Sequence, residues 1–277
     1  MAPHSAPRRL IVNADDFGRS PSINRAVIRA HQEGILTTAS LMVNEASLEE
    51  AVGLARQNPR LGVGLHLTLL CGHSALCFDR IPGLVNEKRE FSDNPTAVGF
   101  KYFWNRRLRQ QLEAEISAQF EKFRATGLTL DHVNGHLHMH LHPVVLDILL
   151  EHAAAWGIKH VRCTREPFWL NARIASGRWL YRSTHALIYR LLSARALPLF
   201  RNSRIRHTSA VFGLLQNERV DEDYLLRLLP ALPLDDVEIY SHPSMDEYKN
   251  EFEALISPAV MSLVKRLNLS LVRYQDL

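Results

Sequence analysis

The sequence predicts an α/β protein with a parallel sheet closed as a TIM-like barrel, in a single domain over residues 1–277. Strand-like and helix-like segments alternate six or seven times, which is typical of parallel strands joined by helices. The length of 277 residues suits one large domain, and no linker or low-complexity stretch divides the chain. No GxGxxG turn follows the first strand, so a dinucleotide site lacks its usual mark. By pattern alone an open doubly wound sheet stays the alternative.

Each element of this fold is predicted from a local signal. For the first helix, Ser20 can cap the amino end, Pro21 suits the first turn and Gly34 can end it. Apolar residues three and four apart from Leu108 to Phe123 predict an amphipathic helix. Short apolar runs predict strands at 9–14, 35–43, 61–69, 128–134, 158–162, 237–241 and 267–272. The first helix is expected at 21–33 and further helices at 48–57, 143–156 and 224–229, with one or two before the last strand.

Composition narrows the class of protein. Hydrophobic residues make up 46% and charged residues 22%, the balance of an ordinary globular protein. The three cysteines are odd in number and lack CxxC spacing, so they indicate reduced thiols in a cytoplasmic protein. Residues 1–10 have no long apolar stretch after their basic pair, so no secretory signal is expected. No run approaches the ~20 apolar residues of a membrane span.

Positive charge is concentrated in one segment, at about 165–206, which we expect to be a mostly helical insertion. It holds nine arginines and a single acid, although the whole chain has a formal charge of only +4. Aromatic residues are interleaved with these arginines. Such a segment favours an anionic partner and can rest at a membrane interface, so peripheral contact with the inner membrane is one expectation. A solvated barrel helix with a basic outer face is the other.

Polar, metal-capable side chains recur where the predicted strands end. The first strand ends in Asp15-Asp16, the third contains His66, and the last well-marked strand is followed by His242. Five of the 14 histidines fall within 132–142, after another strand. Any one of these could be a solvated turn or a hydrogen-bonded core residue. Because the carboxyl ends of barrel strands converge on one face, the set together predicts a metal site there.

The chemistry of a hydrolase explains these residue types. One carboxylate and two imidazoles can hold a catalytic divalent ion and leave a position for water. A water activated by that ion attacks an amide carbonyl. A neighbouring carboxylate can take the proton of the water, and a more distant histidine can protonate the leaving amine. Asp15 fits the role of base and His242 that of acid.

Four motifs resemble the YdjC-like, or ChbG, carbohydrate deacetylase family. They are NADDFG (13–18), GVGLHLTL (62–69), LDHVNGHLHMHLHP (130–143) and EIYSHP (238–243). The resemblance implies an irregular (β/α) barrel that removes N-acetyl groups from sugars. It also implies one divalent ion, zinc or magnesium, held by Asp16, His66 and His136. Asp15 would be the base and His242 the acid.

Two finer points accompany the resemblance. The segments LTTASLMV (36–43) and VFGL (211–214) are similar to the hopanoid-biosynthesis branch, HpnK, which implies an N-acetylglucosaminyl hopanoid as substrate. At the fourth strand this chain has Asn134 where the family usually has an aspartate, so no charge is expected there. His138 and Arg162 are further candidates for binding the substrate.

Two other functions stay open on the sequence. A two-metal amidohydrolase or phosphoesterase is suggested by His136-x-His138, and two tightly held ions per chain would favour it. A non-catalytic lipid-binding protein could use the arginine segment. Nothing resembles a nucleic-acid module, so nucleic acid is not an expected partner, and the sequence indicates no oligomeric state.

Overall fold

Parallel strands form the centre of the molecule, in a computed structural model that describes residues 8–233 and 235–277. Residues 1–7 lie outside this range, and with them most of the stretch on which the absence of a secretory signal was predicted. The strands are Arg9–Phe17 (β1), Thr38–Leu41 (β2), Gly62–Leu67 (β3), Leu130–Gly135 (β4), Ala210–Phe212 (β5), Val237–Ser241 (β6) and Ser270–Leu271 (β7). Their order is β4-β3-β2-β1-β6-β5, with β7 beside β1.

The sheet curls into an irregular (β/α) barrel, as the sequence predicted. A parallel bridge joins Val133 of β4 to Val161, and a second joins His160 to Arg206, just before β5. The strand expected at 158–162 is reduced to these bridges, because its backbone groups pair at single residues on either side. β5 was not predicted, since three residues give too short a pattern to recognise.

Helices surround the sheet. They are Pro21–Glu33 (α1), Leu48–Gln57 (α2), Pro95–Trp104 (α3), Leu108–Ala125 (α4), Pro143–Glu151 (α5), Ala153–Trp156 (α6), Phe168–Ile174 (α7), Trp179–Asn202 (α8), Glu222–Leu228 (α9), Lys249–Leu255 (α10) and Pro258–Arg266 (α11). α1 has its predicted bounds, and the side chain of Ser20 caps it by accepting from the Ile23 amide. α3 lies partly in a stretch that was expected to be loop. No helix in the part of the chain that the structure describes is both long and apolar enough to cross a membrane.

The two faces of the strands have different compositions, and this positions the site. On β1, Leu10, Val12 and Ala14 are fully buried in the apolar core. Asn13 and Asp15 alternate with them, so they point to the opposite face, where they meet polar groups of other strands. Space in the interior is tight: a Cβ on Gly64 would lie 2.5 Å from the ring of His132. The barrel interior is therefore a packed polar network.

Candidate active site

Asp16, His66 and His136 form a buried cluster at the carboxyl ends of three strands. The Oδ1 atom of Asp16 lies 3.0 Å from Nδ1 of His136 and 3.3 Å from Nε2 of His66. One ligand atom from each of the three residues can be chosen so that all lie within 4.8 Å of one another. Asp16 has a φ of 64°, a left-handed backbone conformation that few residues other than glycine adopt. Within the described residues this is the single group of three or more His, Cys, Asp or Glu side chains that are close enough to share a metal ion.

The donor atoms of this cluster fit a divalent first-row ion. A carboxylate oxygen and imidazole nitrogens are ordinary ligands of zinc, and three protein ligands leave a position open. The neighbours of His66 prepare it for this role. Its Nδ1 donates to Oδ1 of Asn134 at 2.7 Å, so the lone pair is on Nε2, the atom nearest Asp16. The cluster can therefore hold a metal without a change of tautomer at His66.

The hydrogen bonds of Asn134 explain why this chain has an amide where the family pattern has an aspartate. Its Nδ2 donates to Oδ1 of Asp15 at 3.0 Å and to the hydroxyl of Ser40 at 2.8 Å. Its Oδ1 accepts from His66, its partner in the β3–β4 register. An ionised carboxylate only accepts hydrogen bonds, so an aspartate at this position could not donate to Asp15. The amide is therefore suited to its place between two side chains of the site.

Asp15 is fully enclosed by hydrogen-bond donors. Arg162 reaches both of its oxygens, with Nη1 at 2.7 Å from Oδ2 and Nη2 at 2.9 Å from Oδ1. Amides of Asn13 and Asn134 donate to Oδ1 as well. Burial alone would raise the pKa of Asp15, but the charge and the hydrogen bonds of Arg162 hold that pKa well below its usual range. Asp15 is thus kept as a carboxylate next to the cluster of Asp16, His66 and His136.

Arg162, a sequence-based candidate for substrate binding, has a side chain with no exposed surface. Its Nε and Nη2 donate to Oε1 of Glu238 at 3.0 and 2.7 Å, while its other contacts go to Asp15. The hydroxyl of Tyr274 in turn donates to the second oxygen of Glu238. Arg162 therefore joins Asp15 to a buried chain of groups that ends near the carboxyl terminus.

The histidines of the segment after β4 differ in their surroundings, since His136 belongs to the cluster and the others contact neighbouring segments. His138 is buried at a φ of 60°, and its Nε2 lies 3.3 Å from the hydroxyl of Tyr240. Burial and the charge of Arg162 lower the pKa of His138 well below its usual value, so it is neutral. His140 and His142 each use Nε2 to donate to a backbone carbonyl, of Arg162 and Gly99 respectively. These two histidines hold neighbouring segments in place.

His242 follows β6, which lies next to β1 in the sheet. Ser241 pairs with Ala14, so the residues that follow this pair on the two chains are His242 and Asp15. Its side chain is 18% exposed, with Nδ1 4.0 Å from a carboxylate oxygen of Glu251. The same Glu251 oxygen accepts from the backbone amide of His242. His242 is thus oriented by a buried carboxylate and retains access to solvent.

Several residues that shape the site were not singled out in the sequence. Ser40, Asn13 and Glu238 are buried partners of Asn134, Asp15 and Arg162, and Tyr274 donates in turn to Glu238. A signal existed for Glu238, because a carboxylate inside the apolar strand VEIYS must have a partner when that strand is buried. No comparable signal marks Tyr274, whose role depends on long-range folding alone.

The family model for YdjC-like protein matches residues 9–266. Carbohydrate deacetylases of Brevibacillus brevis and Geobacillus stearothermophilus are 41% and 40% identical over 54% and 57% of this chain. This chain spans 57% and 62% of the lengths of those two relatives. A carbohydrate deacetylase of Clostridium beijerinckii is 25% identical over 97% of this chain and 100% of its own length.

Similarity of fold extends to a crystal structure. A protein of Enterococcus faecalis V583, provisionally named a cellobiose-phosphate cleavage protein, superposes with a TM-score of 0.74 at 22% identity. The match covers 98% of this chain and 99% of the other. At this level of identity the likeness concerns the fold. Because the family model covers nearly the whole length with the site motifs inside it, this chain belongs to the YdjC-like family.

Proposed function

We propose that this protein is a metal-dependent hydrolase that removes the N-acetyl group from an amino sugar. The observation that carries the proposal is the buried cluster of Asp16, His66 and His136, with ligand atoms within 4.8 Å of one another. The carboxylate of Asp15 lies beside it in the sequence and in the fold. The names of the relatives from Brevibacillus and Geobacillus add support for a carbohydrate substrate.

Asp16, His66 and His136 would hold one divalent ion, zinc or magnesium. Such an ion, when bound, polarises a carbonyl and makes a water molecule more acidic. The chain itself contributes fixed positions for its three ligands. Asp16 is held by Arg19, whose Nη1 donates to its Oδ2 at 2.8 Å, and His66 is held by Asn134. Preorganised ligands of this kind need little rearrangement on binding.

Asp15 is the proposed base, and we propose that Arg162 acts through it. Because Arg162 is buried and bidentate, its place is behind the carboxylate and its role is to orient Asp15 and keep it ionised. The low pKa that results makes Asp15 a weak acceptor in isolation, so its contribution would depend on close positioning next to the ion.

His242 is the proposed acid for the leaving amine, and His138 lines the sugar site. The partial exposure of His242 allows contact with a substrate, and Glu251 limits the directions in which its ring can turn. His138 is surrounded by aromatic rings, with those of Tyr189 and Tyr240 at 5.2 and 5.4 Å. Aromatic faces of this kind suit the C–H groups of a sugar ring.

For the substrate we propose a lipid-linked amino sugar, an N-acetylglucosaminyl hopanoid. A cavity of about 780 Å³ lies between α7 and α8, lined by Phe168, Trp169 and Leu187. Tyr189 borders this cavity and also contacts His138, so apolar and sugar-binding surfaces are continuous. A cytoplasmic enzyme in peripheral contact with the inner membrane, as expected from segment 165–206, would suit such a substrate.

Acetate release from N,N′-diacetylchitobiose and from an N-acetylglucosaminyl lipid tests this function. A chelator should abolish release, and zinc or magnesium should restore it. Asp15→Asn should keep the metal and lose about 100-fold or more in turnover, since a base is removed. His136→Ala should lose both metal and turnover. Metal content is measured on the same preparations by mass spectrometry.

The matched control is His152→Ala. His152 is a half-buried histidine paired with Glu113 at 2.8 Å, away from the cluster, and its loss should leave acetate release unchanged. Full activity of Asp15→Asn would contradict the assignment of the base. Two tightly held ions per chain would favour the amidohydrolase or phosphoesterase alternative. Lipid binding without acetate release would favour a non-catalytic protein.

A further inference from the structure

Exposed apolar side chains are concentrated on one side of the barrel. Of the eleven large apolar side chains that are exposed in the described ranges, ten lie on α3, on α7 and α8, or at Leu137. On α3 they include Phe100, 63% exposed, and Trp104, 74% exposed. All of these elements follow the carboxyl ends of strands, the end of the barrel that carries the cluster of Asp16, His66 and His136.

The two helical parts attach to the same short segment. The hydroxyl of Tyr102 on α3 donates to the Leu69 carbonyl at 2.8 Å, and His142 donates to the Gly99 carbonyl at 3.0 Å. On α8, the ring of Tyr189 contacts His138. His138 lies within the short helix His136–Leu141 and His142 directly follows it, and this helix begins with the proposed ligand His136. α3 and α8 are therefore both anchored next to the site.

Charge in the two parts has the same sign. Residues 95–112, which contain α3, hold four basic residues and no acid. Residues 165–206 hold nine arginines and one acid, Glu166, whose carboxylate is hydrogen-bonded inside the protein. Two stretches that are far apart in sequence thus share exposed apolar side chains, cations and a lack of exposed acids. This composition complements an anionic lipid surface, where apolar groups enter the headgroup region and cations meet phosphates.

We infer that α3 and α7–α8 together form a two-part membrane-binding surface for anionic bilayers, with the active site facing the lipid. α3 is the new element, since the sequence suggested membrane contact for segment 165–206 alone. The purpose of the surface rests on the proposed lipid-linked substrate, whereas its existence does not. A bilayer suits both parts better than a second protein copy, because no acidic patch within them would meet the cations of that copy.

Vesicle co-sedimentation of the full chain tests the inference. The protein should pellet with vesicles of equal parts phosphatidylglycerol and phosphatidylcholine, and much less with phosphatidylcholine alone or at high salt. The double variants F100S/W104S and L180S/L191S should each weaken partitioning by about tenfold or more, since all four side chains are exposed. L271S is the matched control, since Leu271 is also exposed but pairs with the amino end of β1.

Tryptophan fluorescence tests α3 directly. In the variant W169F/W179F, the remaining tryptophans are Trp104 and Trp156, and Trp156 is stacked on Phe120 at 4.5 Å. Lipids with bromine in the acyl chain should quench Trp104. Absence of quenching, or wild-type partitioning of F100S/W104S, would overturn the assignment of α3. Absence of vesicle binding together with a stable dimer by light scattering would assign the surface to a second copy.

Acetate release from soluble N,N′-diacetylchitobiose separates this inference from the proposed function. F100S/W104S, L180S/L191S and L271S should all release acetate at the wild-type rate, since none of these side chains belongs to the catalytic cluster or lines the proposed substrate cavity. Vesicle binding by a wild-type protein that releases no acetate would contradict the function and leave the surface standing. Acetate release without vesicle binding would overturn the surface alone.

Discussion

Two arginine–aspartate pairs of equal length lie in different regions of this molecule. In the barrel interior Arg162 contacts Asp15 at 2.7 Å, and their side chains are 0% and 2% exposed. On the helical exterior Arg195 of α8 contacts Asp147 of α5 at 2.7 Å, with exposures of 36% and 42%. Water screens the outer pair, whereas each charge of the inner pair has lost its hydration and depends on its partner. Equal distances therefore conceal very different energetic roles.

The same contrast holds for the regions around the pairs. The interior surrounds Asp15 with fixed donors, which suits a site that must hold a carboxylate in one position and one charge state. The exterior of α8 exposes Leu187, Leu191 and several arginines, which suits contact with a large partner. The first region holds its charged side chains in fixed positions, and the second exposes its side chains to solvent.

The largest expected effect is that of Arg162→Met. Removal of the guanidinium leaves Asp15 and Glu238 as buried carboxylates without their cation, so we expect a loss of about 3–5 kcal/mol in the free energy of unfolding. Arg195→Met should cost less than about 1 kcal/mol. Urea denaturation at neutral pH measures both. Similar losses for the two variants would break the comparison between the regions.

Arg162→Lys sharpens the same test. A lysine keeps the positive charge but cannot reach both oxygens of Asp15 and also Glu238 with the planar geometry of a guanidinium. We expect a stability between those of the wild type and Arg162→Met. A lysine variant as unstable as the methionine variant would mean that the geometry of the hydrogen bonds matters more than the charge.

A smaller effect is expected for Tyr274→Phe, at the far end of the buried chain. The lost hydroxyl donates to Glu238, and a hydrogen bond to a buried charge contributes about 1.5–3 kcal/mol. Tyr248→Phe is the control, because its hydroxyl lies 3.5 Å from Glu218 at the surface, and its removal should change stability by less than about 0.5 kcal/mol. Equal urea midpoints for the two variants would show that Tyr274 is not part of the network.

Local signals account for the parts of the fold that the sequence predicted. α1, α2 and β6 have their predicted bounds, because caps, prolines and apolar periodicity lie within each segment. α3 carried a comparable signal in Asn94, whose side chain caps the helix before Pro95, but the surrounding loop residues concealed it. The strand at 158–162 depends on partners on both sides, and no local pattern records how many bonds it forms.

The site shows a similar division. The cluster of Asp16, His66 and His136 could be expected because strand ends of a barrel converge, and the resemblance selected these three. The position of Arg162 behind Asp15 could not, since it requires side chains 147 residues apart to meet inside the barrel. The roles assigned to Asp15, His242 and His138 stay predictions. What sequence reasoning lacked was the three-dimensional register of the interior polar groups.

The smallest expected effect concerns a second carboxylate, that of the partly buried Glu166 in the helical region. Its oxygens accept from Asn171 at 2.6 Å and from the Leu215 amide at 2.9 Å, neutral donors rather than a guanidinium. Burial therefore raises the pKa of Glu166 to about 7, whereas Asp15, held by Arg162, has its pKa lowered. The pKa of Glu166 is thus above the ordinary value for a glutamate, whereas the pKa of Asp15 is below that for an aspartate.

The sign of the effect follows from proton uptake. Between pH ~4.5 and ~7 the folded state holds a proton on Glu166 that the unfolded state has released, so stability falls as the pH rises through this window. Because the residue is only partly buried, we expect about 1–2 kcal/mol rather than the full value of the shift. Glu166→Gln should match the wild type near pH 5 and exceed its stability by this amount near pH 8, as measured by urea denaturation. Parallel pH profiles for the two proteins would mean that Glu166 is ionised in the fold, and the helical region would then hold its acid much as the barrel holds Asp15.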